Sequence, residues 1–89
     1  MNGGGAIPKA DFLTLVSTLA AQGAIHLGSV AHPIHKEVRK DLRQAKYTID
    51  LLGILEEKTR GNLTAEEKQV LGTVLSELRL RYAGATKGP

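Results

Sequence analysis

The run FLTLVSTLAAQGAIHLGSVA, residues 12–31, contains no Asp, Glu, Lys or Arg. A helix without charge on any side finds its surroundings in protein or in lipid, and this choice constrains the fold more than any other feature of the sequence. A bilayer core asks for about 20 apolar residues spanning roughly 30 Å. If Gly28 ends the helix, residues 11–27 reach only about 25 Å at 1.5 Å each. Gln22 and His26 would also lie at depths where polar groups are expensive. Burial against protein is therefore the expectation, and membrane insertion is the weaker reading.

Three helical segments follow from capping signals and apolar spacing, with no strand signal and no internal repeat: residues 11–27, 41–60 and 64–82. Residues 1–10 read as a flexible lead-in, 28–40 as a linker punctuated by Pro33, and 84–89 as a flexible tail, leaving one helical domain over 11–83. Asp11 suits the N-cap of the first helix and Gly28 the left-handed position past its end. Asp41 with Gln44, and Thr64 with Glu67, have the spacing of capping boxes. Gly61 and Asn62 mark the turn between the second and third helices, which the short connection expects to form a capped antiparallel hairpin. Asn62-Leu63-Thr64 also matches a glycosylation acceptor, but the lead-in lacks the basic n-region of a secretion signal, so the tripeptide reads as a capped turn.

Placed 100° apart, Phe12, Val16, Leu19, Gly23 and Leu27 share one apolar face of the first helix. Ser17, Ala21, Ala24 and Gly28 form a second stripe of small residues, and Asp11, Thr14, Thr18 and Gln22 a third, polar face. The second helix has a core-like face (Leu42, Ala45, Ile49, Leu52, Leu55) and a nearly opposite apolar one (Tyr47, Leu51, Ile54). The third turns Val70, Leu71, Val74, Leu75, Leu78 and Tyr82 inward. Two of the three helices thus carry more apolar surface than one three-helix chain covers, which predicts a homo-oligomer. The expected interface comprises Phe12, Val16, Ser17, Leu19, Ala21, Ala24, Leu27 and Gly28 of the first helix with Tyr47, Leu51 and Ile54 of the second. Gln22 and His26, four apart, are expected to be a buried polar pair fixing helix register.

The chemistry-bearing residues form no recognisable site. The chain has no cysteine, so neither a thiolate ligand nor a thiol nucleophile is available. His26, His32 and His35 fall within ten residues, yet no acid pair completes a zinc shell around them, and no metal is expected. Glu56, Glu57, Glu66 and Glu67 sit at helix ends without a partnering histidine, serine or arginine. No phosphate-cradling glycine motif is present, and neither a cofactor nor catalysis is expected. The net charge of +3 is a mild excess. Lys36, Arg39, Lys40 and Arg43 make its one cluster, a possible anion contact interleaved with Glu37 and Asp41. With three aromatic residues (Phe12, Tyr47 and Tyr82), the chain offers little for stacking on single-stranded bases. Weak, salt-dependent association with nucleic acid through the basic linker stands as the alternative to assembly, with membrane association behind it.

The segments DFLTLVSTLAAQGAIHLG, AKYTIDLLGILEEKTRGNLTAEE and LSELRLRY, taken together, resemble a bacterial family designated domain of unknown function 1844. The resemblance runs from Asp11 to Tyr82 and is most specific from Ile49-Asp50-Leu51-Leu52 to Lys58-Thr59-Arg60-Gly61-Asn62-Leu63-Thr64. It implies a small helical protein of the cytoplasm with no assigned activity, so no functional residue is carried over from it. This chain departs from the pattern in its linker, HPIHKEVRK.

Overall fold

A computed structural model describes residues 7–31, 33–34 and 36–87. It contains three helices, α1 (Phe12–His26), α2 (Leu42–Lys58) and α3 (Ala65–Lys87), and no strand among the described residues. Each helix packs against both of the others.

Capping residues set the helix ends. The Asp11 carboxylate accepts a hydrogen bond from the Thr14 amide at 2.8 Å, and Asp41 accepts one from the Gln44 amide at 3.2 Å. Each satisfies an amide that the first turn leaves without a helical partner. α3 opens with a reciprocal box: the Thr64 amide donates to Glu67 Oε1 at 2.8 Å, and the Glu67 amide donates to Thr64 Oγ1 at 3.1 Å. Thr64→Ala removes one of these bonds and is expected to lower stability by about 1 kcal/mol in urea unfolding, with Thr64→Ser close to wild type.

At its other end, α1 closes with the two bonds of a Schellman motif. The Ser29 amide reaches Ala24 O at 2.9 Å, and the Gly28 amide reaches Ile25 O at 3.0 Å. Gly28 sits at φ +77°, the left-handed conformation this motif demands. Immediately afterwards the Asp41 amide donates to His26 O at 2.7 Å. The start of α2 is thereby tied to the end of α1, and residues 27–40 form an excursion that returns to its origin. Between α2 and α3, the Asn62 amide closes a turn onto Thr59 O at 2.8 Å, with Gly61 at φ +84° in the third position. Glycine adopts such a positive φ without strain.

The core is built from one line of each helix. Val16 of α1 and Leu27 at its C-cap, Ala45, Ile49 and Leu52 of α2, and Leu71, Leu75 and Leu78 of α3 are buried together. Phe12, Leu19, Leu42, Leu55, Leu63, Val70, Val74, Tyr82 and Ala85 pack around them. Buried Thr48 is tolerated because its hydroxyl donates to Gln44 O at 3.1 Å. α1 approaches the others most closely at Gly23. A Cβ built there would lie 3.2 Å from Leu78 Cδ1 and 3.6 Å from Thr48 Cγ2.

Two boundaries differ from the sequence expectation. α3 continues past Tyr82 to Lys87, so residues 84–87 of the expected flexible tail are helical. Ala85 packs on the core cluster one turn beyond Tyr82 and extends the buried line. α2 ends at Lys58, short of residue 60, where the Thr59 hydroxyl takes the Leu55 carbonyl at 2.7 Å. Residues 1–6 of the lead-in and 88–89 of the tail lie outside the described residues.

Candidate functional site

The expected interface on α1 is in large part the chain's own interior. Val16 and Leu27 are buried in the core and present no surface to another copy, while Phe12 and Leu19 are half-buried and pack against that core. The face of Gly28 is occupied by Val38 and Lys40 of the same chain. Ser17 and Ala21 are exposed and Ala24 is half-buried.

Gln22 and His26 are not a buried pair: Gln22 is exposed and His26 half-buried. Gln22 stands about 120° around the helix from the line of Val16, at 100° per residue, and so faces away from the core. Nor does the rest of that polar face need a partner. Thr18 donates its hydroxyl to Thr14 O at 2.9 Å, and the Asp11 carboxyl is held below its usual range, chiefly by the hydrogen bond from the Thr14 backbone.

α2 presents a different situation. Its inner side carries Ala45, Ile49 and Leu52 into the core, while Tyr47 is 61% and Ile54 54% exposed, with half-buried Leu51 between them. These three recur four and three residues apart, the spacing of a seam along one side of a helix. Arg43, Asp50 and Glu57, seven apart, run beside the seam and are all exposed. Asp50 is bonded to Lys46 one turn earlier at 2.8 Å, and this carboxylate raises the ammonium's pKa through the hydrogen bond and its charge. Other large apolar side chains are exposed elsewhere, including Leu15 on α1 and Leu80 on α3. Val30, Ile34 and Val38 are exposed along the connection between α1 and α2. Single exposures are ordinary; a stripe along one side of a helix is less so.

The basic cluster is exposed throughout and partly neutralised. Arg39 bonds Glu37 through Nε at 2.7 Å and forms an ion pair with it, while Lys36 sits at φ +56°. Of the three histidines, His32 and His35 lie outside the described residues. Among the described residues no three His, Cys, Asp or Glu side chains gather as a metal-holding group. A cavity of about 440 Å³ at the turn between α2 and α3 is lined by Glu56, Arg60, Gly61, Leu63, Lys68 and Leu71. It mixes one acid with two cations, and its lining includes no histidine, serine or threonine to pair as nucleophile and base.

Among the described residues, no helix is long and apolar enough to cross a membrane. The class these features define is a small all-α, three-helix protein whose most distinctive outward feature is an apolar seam on its middle helix. The chain belongs to the family described as Domain of unknown function (DUF1844), which matches residues 9–84. No curated protein and no solved structure matches the chain.

Proposed function

We propose that the chain is a non-enzymatic assembly or adaptor module that works by associating with copies of itself through a helical surface. The observation carrying this reading is the Tyr47–Leu51–Ile54 stripe, which lies on the side of α2 away from its core-facing residues. Water-exposed apolar side chains gathered along one helix gain by burial, at about 25 cal/mol per Å² removed from water. The domain is also of a size whose own core gives limited stability, so association adds to a small reserve.

The same reading takes α2 and α3 as an antiparallel hairpin. Gly53, toward the middle of α2, faces Arg79 late in α3, while Glu56, near the end of α2, shares a cavity with Lys68 at the start of α3. The cytoplasm is the proposed compartment, since a chain with no cysteine draws nothing from oxidising conditions.

The test is the solution mass of the detergent-free chain, by light scattering on a size-exclusion column, up to about 1 mM, where even a weak pairing is populated. A discrete dimer or larger assembly is expected. A monomer over the whole range overturns the reading.

A further inference from the structure

We infer that the seam on α2 is a two-fold, antiparallel dimer contact in which each helix lies against the same helix of a second copy. This inference rests on the self-association reading above and specifies the surface and its geometry.

A two-fold contact must be self-complementary: whatever stands at one end has to fit whatever stands at the other. Around Asp50 and Leu51 the outer face of α2 reads nearly the same in both directions, except that the charges change sign. Arg43 lies seven residues before Asp50 and Glu57 seven after it. Tyr47 and Ile54 flank the same centre at nearly equal distances. Running α2 antiparallel to its copy therefore brings Tyr47 onto the copy's Ile54, Leu51 onto the copy's Leu51, and Arg43 beside the copy's Glu57, twice over. In a parallel pairing Arg43 and Glu57 stand at opposite ends of the contact and cannot meet.

The charges needed for this arrangement are free to make it. Arg43 and Glu57 are exposed, and among the described residues neither takes part in an ion pair. Asp50, which the axis would bring close to its own copy, is already bonded to Lys46 at 2.8 Å. Its negative charge is offset where like charges would otherwise face each other. Gln44 and Lys58, at the ends of the same line, fall opposite one another and close the contact with polar groups, as the rim of an interface does. An outside partner would not require the sign-inverted symmetry; a second copy does. The contact is short, so the pairing belongs with small, concentration-dependent interfaces.

The experiment is sedimentation equilibrium of the full chain and four variants: Arg43→Glu, Glu57→Arg, the double exchange, and Ile54→Lys. Circular dichroism accompanies each variant to verify that it folds, which is expected because all three positions are exposed. Each single charge reversal sets like charges together twice per dimer and is expected to weaken association about tenfold. The double exchange is expected to restore it to within about threefold of wild type, because the pairs re-form with their signs swapped. Ile54→Lys is expected to leave a monomer. If the wild type assembles and none of the four variants alters it, the α2 contact is wrong while self-association stands. If both reversals weaken assembly and the double exchange does not restore it, the antiparallel register is wrong. A wild type that is monomeric throughout removes this inference together with the reading it rests on.

Discussion

Leu52→Ala is expected to cost about 2–5 kcal/mol, much of what a domain of this size possesses. Leu52 is completely buried, among the largest such side chains together with Leu71, Leu75 and Val16. It sits on the middle helix, which packs on both of the others. Removing it therefore leaves a hole that no single helix can close by shifting. The loss has two parts, the transfer energy of the missing carbons and the cavity that remains. Chemical unfolding at one fixed protein concentration measures it, since association would otherwise add a concentration-dependent term. Ile54→Ala on the same helix is the control and is expected to stay within about 0.5 kcal/mol of wild type as a monomer. If the two changes cost the same, the inner and outer faces of α2 have been misassigned.

The second large effect is expected at Gly23, where Gly23→Leu should destabilise the fold by about 3 kcal/mol or more. Even a lone Cβ would lie 3.2 Å from Leu78 Cδ1, closer than carbon atoms pack in comfort. The larger side chain has Leu78 on one side and Thr48 on the other, so α1 must lift away from the two helices it rests on. Gly23→Ala is a finer probe. It gains up to about 1 kcal/mol of helix propensity and meets a contact that Leu78 can relieve only by moving a few tenths of an ångström. Gly72 on α3 has nothing within 4 Å of its would-be Cβ, so Gly72→Ala should show the propensity gain alone. Thermal midpoints of the three variants order these effects. A stable Gly23→Leu protein would show that α1 is not seated where Gly23 places it.

Much of this architecture can be read in the sequence because local chemistry and apolar spacing agree. Asp11, Asp41 and Thr64 announce helix starts through hydrogen bonds to amides three residues away, and those bonds form. Among the described residues, Gly28 and Gly61 mark two positions with φ near +80° where glycine is at home. The line Phe12, Val16, Leu19, Gly23 and Leu27 is the inner face of α1, as its spacing indicates. The end of α3 is harder to read, because Gly84 looks like a terminator. Its weakness is outweighed by the contact Ala85 makes with the core three residues after Tyr82.

The outer side of α1 misleads for a different reason. Lack of charge suggests burial on every side, yet Ser17, Thr18 and Gln22 face water without carrying charge. Neutral polar groups hydrate well enough, so the absence of Lys and Glu is a poor measure of depth. The apolar stripe that spacing places on one helix lies on α2 instead, on the side away from its core face.

The bond from the Asp41 amide to His26 O has a consequence for how such a chain can change over time. Because residues 27–40 leave and rejoin the helices at a single junction, they form a closed ring hung on the bundle. Enlarging such a ring costs only about 0.6 kcal/mol for each doubling of its length, as long as the junction holds. Apart from core residue Leu27 and the left-handed Gly28, its positions can be substituted without disturbing the helix spacing. The ring is thus a compartment of the chain that can drift, lengthen or acquire new chemistry while α1, α2 and α3 stay under the discipline of packing. That HPIHKEVRK is where this sequence parts from the pattern it otherwise resembles is what a ring so attached would permit.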